Sequence, residues 1–174
     1  MYFETKLNAM GLRLVKLEQY TGTKTTIYSL YDANERKTLF EKFVEENELE
    51  SLDELQDIHV RLMNIGHRFG AREQFFKEHE VKAGDMVCAL FDLPEKKLRL
   101  YSIRIGIVVL ILGGGGEKKV RTLQEDEKLK SENYLLRQIS QELYQRLLDK
   151  DIKWSVDGTE LLGDLNFNND DDDE

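Results

Sequence analysis

Alternation of apolar and polar residues near the start of the chain predicts two β-strands, over residues 12–18 (LRLVKLE) and 25–31 (TTIYSLY). Successive side chains of a strand point to opposite faces of a sheet, so this pattern is typical of a strand with one buried face. The Thr-Gly-Thr step between the two segments favours a hairpin or a short turn.

Two stretches with helical spacing follow. Residues 35–50 place Leu39, Phe40 and Phe43 on one face. The next helix is predicted to begin at Ser51, with Glu54 three residues later as in a capping box, and to end at Gly66. Its apolar residues recur at spacings of 3, 4 and 3, which indicates an amphipathic helix: Leu55, Ile58, Leu62 and Ile65.

Three further strands are predicted at residues 86–92, 97–105 and 107–112. Gly106 provides a tight turn or a bend between the last two. Residues 107–112 are apolar throughout, which favours a central strand that is covered on both faces. We expect the three strands to form one antiparallel sheet, with the helix at 52–65 packed on it.

The C-terminal part predicts a long amphipathic helix over residues 125–150 and a hairpin about Asp157 and Gly158. Strands and helices come in blocks, in the order ββ-αα-βββ-α-(ββ), which is typical of the α+β class. The expected architecture is a small antiparallel sheet with helices packed on it, plus a C-terminal helix and extension. We expect residues 1–167 to form a single domain and residues 168–174 to form a disordered acidic tail.

Composition is that of a single-domain protein of 174 residues. No apolar run approaches the length of about 20 residues that spans a bilayer. The N-terminus does not resemble a signal peptide, and the single cysteine, Cys88, is expected to be a small buried apolar residue. A cytoplasmic protein without membrane partners is the resulting expectation.

Charge is distributed unevenly along the chain. The formal net charge is −9, and residues 170–174 are five acids, so the remainder carries −4. Residues 61–121 contain 12 Lys and Arg against 7 Asp and Glu, a local charge of +5. An anionic partner is therefore expected to bind the middle of the chain, if one binds at all.

The segment 108–122 (VVLILGGGGEKKVRT) contains four consecutive glycines followed by cations. It lacks the Walker spacing, because no Ser or Thr follows the lysine pair directly. The glycines are instead interpreted as the exit turn of a buried strand, where positive φ angles are needed. The freed backbone amides, with Lys118, Lys119 and Arg121 close behind, would form an anion site.

Residues 97–122 (KLRLYSIRIGIVVLILGGGGEKKVRT) resemble the core of the RelE/ParE/HigB family of toxins from type II toxin–antitoxin pairs. The matching positions are Arg99, Arg104, Lys118, Lys119 and Thr122. In the RelE and HigB branches the resemblance implies cleavage of ribosome-bound mRNA without a cofactor, and a cognate antitoxin as partner. The chain differs from the family pattern in its greater length, its acidic charge and its C-terminal extension.

Internal attack by a ribose 2′-OH needs a group that moves protons and cations that stabilise the charge on phosphorus, with no metal. The candidate catalytic residues are His67, Arg104, Lys118, Lys119 and Arg121. The candidate RNA-binding residues are Arg68, Arg72, Gly113, Gly114, Gly115 and Gly116. The structural interpretation, which the local pattern favours, makes His67 a cation at a helix C-terminus and Tyr101 a core or sheet-face aromatic.

The site requires the fold to bring residues 66–85 and the glycine segment to one rim of the sheet. On the resemblance and the basic cluster, the leading hypothesis is a toxin that acts as a ribosome-dependent mRNA endoribonuclease. One alternative is a non-catalytic protein of the RelE/ParE fold that binds an antitoxin or a gyrase-type partner. Another is an unrelated α+β protein with a glycine turn.

Overall fold

The computed structural model of the chain describes residues 11–77, 86–90, 97–118 and 126–167. Three α-helices lie in these ranges: α1 (Leu39–Asn47), α2 (Leu52–Asn64) and α3 (Glu127–Asp149). A π-helix (Ile65–Phe69) continues α2 directly, and a 3-10 turn (Glu73–Phe75) follows it. The strands are β1 (Leu12–Lys16), β2 (Thr26–Asp32), β3 (Lys37–Thr38), β4 (Phe76–Lys77), β5 (Val87–Leu90), β6 (Leu98–Ile105), β7 (Val109–Glu117), β8 (Ile152–Trp154) and β9 (Leu161–Gly163).

Seven of the described strands form one sheet in the order β1-β2-β7-β6-β5-β4, with β3 paired to β2. Its neighbours run antiparallel except at the centre, where β2 and β7 are parallel and Thr26 lies opposite Val109. The protein is therefore a mixed α+β structure with a mostly antiparallel sheet, as expected. The expected single sheet of the three middle strands is confirmed, because β5, β6 and β7 are antiparallel neighbours.

Both faces of the sheet are covered by helices. On one face, α1 and α2 bury Phe43 and Leu62 against a cluster that includes Leu110 of β7. On the other face, α3 buries Leu136 and Ile139, together with alternate residues of the same strands. The central strand β7 alternates between the two clusters, as a strand buried on both sides should.

Several local predictions are confirmed. Gly106 turns the chain between β6 and β7 with φ 56°. Cys88 is buried in β5 as a free thiol. The predicted hairpin about Asp157 and Gly158 is the antiparallel pair of β8 and β9.

Two predictions at the ends of α2 are wrong. Ser51 is the N-cap residue, but its side chain makes no capping hydrogen bond. The Glu54 carboxylate instead accepts the Lys97 amide at 2.5 Å, so it binds the start of β6. Gly66 does not end the helix: the chain continues through the π-helix to Gly70, whose φ of 80° terminates it.

The glycine run is not a turn, which corrects the central expectation about it. Gly113, Gly114, Gly115 and Gly116 are buried within β7, and none has a positive φ. Leu100 pairs with Gly115 whereas Ser102 pairs with Leu112, so one extra residue of β7 lies opposite Tyr101. This is a β-bulge in a central strand.

The glycines make room for close packing. A Cβ atom on Gly113 would lie 2.4 Å from Leu136, and one on Gly114 would lie 2.5 Å from the Glu132 carboxylate. Both contacts come from α3, since the bulge turns two successive residues to the same face. Gly113, Gly114 and Gly116 therefore form a groove in which α3 lies against the backbone of β7, whereas Gly115 faces the backbone of β6 at Arg99.

The chain segment after β9 covers the outer edge of the sheet. Leu165 accepts the Leu14 amide at 2.9 Å, and the Phe167 amide donates to Leu12 at 2.8 Å. Arg146 of α3 holds this segment by hydrogen bonds to the carbonyls of Asp164 and Asn166 and by a cation–π contact, with its guanidinium 4.5 Å from the Phe167 ring. The predicted tail at residues 168–174 lies outside the described residues.

Candidate nucleic-acid interface

The π-helix presents a basic and partly aromatic surface at the end of the sheet where β6 turns into β7. His67, Arg68 and Phe69 are exposed there, whereas the preceding Ile65 and Gly66 are buried. The sequence contains no Asp or Glu between Asp57 and Glu73, so no acid of this segment offsets the cations. Single π-helical turns are rare and occur preferentially at functional sites.

The turn between β1 and β2 packs directly on the π-helix. The Gly66 carbonyl accepts the amides of Lys24 and Thr25, at 3.0 and 3.2 Å. A Cβ on Gly66 would lie 1.8 Å from the Tyr20 carbonyl, so only glycine allows this approach. As a result, the exposed Lys24 joins the basic surface from a distant part of the sequence.

Apolar side chains lie among these cations. Phe69 and Ile107 are about half exposed, at 45% and 50%, and the Phe69 and Phe75 ring centroids are 6.1 Å apart. The exposed Arg72 is held beside them, because its Nε donates to the Phe69 carbonyl at 2.8 Å. We call this set the π-helix surface: Lys24, His67, Arg68, Phe69, Arg72 and Ile107.

Arg104 lies next to the π-helix surface and is committed to the fold. Its guanidinium donates to the carbonyls of Ala71 and Gly106, at 3.2 and 3.3 Å. It also lies 5.9 Å from the Phe76 ring centroid and 3.7 Å from the Glu73 carboxylate. The side chain is 14% exposed, so its chemistry is that of a structural cation that fixes the loop after the π-helix.

The cations after the glycine run are not brought to the same rim. The Lys118 amide donates to Lys97 at the far end of the β6–β7 hairpin. Val109 and Glu117 are eight residues apart along β7, which at about 3.3 Å per residue is roughly 26 Å. Lys119 and Arg121 lie outside the described residues. The expectation that the two basic segments meet is therefore wrong for Lys118.

Other side chains that could carry a proton are not part of the π-helix surface. Tyr101 faces α3 in the core, and burial raises its pKa to about 12. The Tyr20 hydroxyl is hydrogen-bonded to Nδ1 of His59 at 2.9 Å on the face covered by α1 and α2. Burial also raises the pKa of Tyr20. The interpretation of Tyr101 as a core aromatic is therefore confirmed.

The π-helix surface has the chemistry of a single-stranded nucleic-acid contact. Guanidinium groups bind phosphate, and exposed aromatic rings stack on unpaired bases. Sequence reasoning identified His67, Arg68 and Arg72 but missed Lys24, Phe69 and Ile107. The interleaved basic and aromatic pattern HRFGAR (residues 67–72) contained the signal for Phe69. Lys24 and Ile107 are brought there by tertiary structure, which no local pattern records.

No group of three or more His, Cys, Asp or Glu side chains within the described residues is arranged to hold a metal ion. No helix in the same ranges is long and apolar enough to cross a membrane. Comparison of the chain with protein-family models, with curated proteins and with solved structures gave no match.

Proposed function

We propose that this protein is the toxin of a bacterial type II toxin–antitoxin pair and acts in the cytoplasm on ribosome-bound mRNA through the π-helix surface. The observation that carries the proposal is that Lys24, Arg68 and Arg72 are exposed on the π-helix or on segments hydrogen-bonded to it, and that the same π-helix exposes the ring of Phe69. This positively charged surface lies in a chain whose formal net charge is −9. The resemblance of residues 97–122 to the RelE/ParE/HigB toxins supports the same proposal.

In the proposed complex the arginines bind phosphates on either side of an unpaired base that stacks on Phe69. His67 is the group on this surface that can accept a proton from a ribose 2′-OH and return one to the leaving 5′-oxygen. The ribosome supplies the orientation of the RNA, so the protein needs to add charge stabilisation and a proton carrier. Neither step requires a metal or a cofactor.

The proposal is tested by expressing the chain in a bacterial host without its antitoxin. We expect growth arrest and translation-dependent mRNA cleavage. Arg68→Ala with Arg72→Ala should abolish both effects, and Lys42→Ala with Lys153→Ala, which removes two charges from other surfaces, should leave both unchanged. Circular dichroism and thermal melting of each variant show whether the fold is retained.

A second pair of candidate cations is tested in the same assay with Lys118→Ala and Lys119→Ala. If this pair alone is inactive, the RNA is bound at the opposite end of β7 and the π-helix surface is not the site. A wild-type protein that neither arrests growth nor cleaves mRNA contradicts the toxin proposal itself.

One observation favours a second candidate function, a non-catalytic protein that binds an antitoxin or a gyrase-type partner. Arg104 is occupied by backbone carbonyls, and Lys118 lies about 26 Å along β7 from the π-helix end. Arg104 and Lys118, two of the predicted catalytic cations, are thus not placed to stabilise the charge on one phosphorus atom. Growth arrest without mRNA cleavage, lost in the Arg68 and Arg72 double variant, would identify this second function.

A further inference from the structure

On the face of the sheet that carries α1 and α2, a cleft opens between the end of α1 and the start of α2. Its volume is about 180 Å³, and its walls include Phe40, Val44 and Leu55. Tyr20 closes one side, where its hydroxyl is hydrogen-bonded to His59. Pockets that hold cofactors or drug-sized ligands run from about 300 to 1,000 Å³, so this cleft suits a single large apolar side chain.

The mouth of the cleft is itself apolar. Leu52 lines it and is 52% exposed, and Leu49 in the connection between the helices is 98% exposed. Leucines that protrude beside an apolar cleft gain free energy when a partner covers them. The two residues therefore extend the apolar surface from the cleft onto the loop.

Acidic side chains surround this apolar centre. Residues 43–60 contain no Lys or Arg and seven acids: Glu45, Glu46, Glu48, Glu50, Asp53, Glu54 and Asp57. Glu45 and Glu46 form ion pairs with Lys37 and Lys128, and Glu54 binds the Lys97 amide.

Three of the acids keep their charge free for a partner. Glu48 borders the cleft, and Glu50 and Asp53 lie close to Leu52 in the sequence; all three acids are exposed. None of them forms an ion pair with a residue that the structure describes. An apolar centre with an acidic rim is complementary to an apolar side chain flanked by cations.

We propose that this cleft is the docking site of a cationic amphipathic helix of a partner protein, which inserts one large apolar side chain between α1 and α2. Helices bind grooves in this way when their apolar residues recur on one face. Lys and Arg on the flanks of the helix would then pair with Glu48, Glu50 and Asp53. The proposal does not depend on the proposed function, since the cleft and the π-helix surface have opposite charge and separate residues.

The test uses the full chain and three synthetic helical peptides, with binding measured by fluorescence anisotropy. The first peptide has Leu and Trp on one face and Lys on the other. The second has the same composition with the apolar residues dispersed, and the third has Glu in place of Lys. We expect the first to bind about tenfold more tightly than the second, with affinity falling as salt is raised, and the third not to bind.

Variants locate the site. Glu48→Lys with Glu50→Lys should weaken binding of the first peptide about tenfold, and Leu49→Ser with Leu52→Ser should have a similar effect. The matched control is Glu35→Lys with Asp151→Lys, which makes the same change in net charge at exposed positions away from the cleft. We expect the control to bind the peptide within about twofold of the wild type, apart from long-range charge effects. All of these positions are exposed, and melting curves confirm that each variant folds.

Three results would overturn the proposal. One is equal binding of the three peptides, and another is an equal loss in the control variant. The third is self-association of the chain alone, detected by sedimentation and abolished by Glu48→Lys with Glu50→Lys, which would identify a second copy of the chain as the occupant.

Discussion

At the scale of single residues, Arg104 and Arg68 show how two neighbouring arginines have different roles. Arg104 bonds the carbonyls of Ala71 and Gly106, whereas Arg68 is exposed on the π-helix. Hydrogen bonds from a charged donor contribute about 1.5–3 kcal/mol, so Arg104→Gln should lower the free energy of unfolding by about that amount. Urea denaturation measures the loss.

Arg68→Gln is the matched variant and should change stability by less than about 0.5 kcal/mol. Its effect should appear in RNA binding instead. Equal destabilisation by the two substitutions would mean that Arg68 also supports the fold.

Tyr101 gives a pH dependence at the same scale. Burial raises its pKa from 10.0 to about 12 in the folded protein, while the unfolded chain releases the proton near its ordinary value. The contribution of Tyr101 to the free energy of unfolding is therefore constant well below pH 10 and should fall as the pH rises from 10 towards 12. Urea midpoints across this range should decrease, and Tyr101→Phe should make the decrease smaller. An unchanged slope in that variant would mean that other groups, such as Tyr20, dominate alkaline unfolding.

At the scale of elements, the packing of β7 against β6 and α3 depends on the glycines. A Cβ on Gly115 would lie 1.8 Å from the Arg99 carbonyl, and backbone cannot move away as a side chain can. A Cβ on Gly116 would meet the flexible end of Lys128 at 3.3 Å. Gly115→Ala should therefore cost about 3 kcal/mol or more, whereas Gly116→Ala should change stability by less than about 1 kcal/mol.

Thermal or urea unfolding of the two variants checks this difference. If both substitutions are tolerated equally, the close approach of the two strands at the bulge is not as described. Both residues lie in the same strand and neither has a positive φ, so the loss of glycine's backbone entropy is similar in the two variants. The difference between the variants therefore measures the steric cost of the added Cβ.

The positions of helices and strands could be predicted from the sequence more easily than the contacts between them. Apolar spacing in residues 127–149 and 98–105 follows local geometry, so α3 and β6 were predicted within a few residues. The glycine run was interpreted as a turn because its space is taken by α3 and by Arg99, which no local pattern shows. The π-helix was missed for a similar reason: the backbone amides of Lys24 and Thr25, more than forty residues earlier in the chain, donate to the Gly66 carbonyl.

At the scale of the whole molecule, residues 164–167 and 168–174 should have different effects when removed. Deletion of 168–174 removes the acidic tail and should leave the melting temperature within a few degrees of that of the full chain. Deletion of 164–174 also removes Phe167 and the hydrogen bonds to β1, so it should lower stability and promote self-association. Thermal melting and sedimentation measure the two effects, and a large loss from the shorter deletion would show that the tail itself docks.

The parallel pairing of β2 with β7 sets a condition on how the protein can fold during synthesis. Ser29 donates to the carbonyl of Leu112, a residue 83 positions later. Until that later segment leaves the ribosome, the edge of β2 that pairs with β7 has no hydrogen-bonding partner. The first half of the chain then lacks the central strand of its sheet. Contacts between distant residues slow folding because a long loop must be ordered first. Completion of the fold is therefore a late event in translation, and a nascent chain released before β7 would carry an exposed sheet edge that chaperones or proteases recognise.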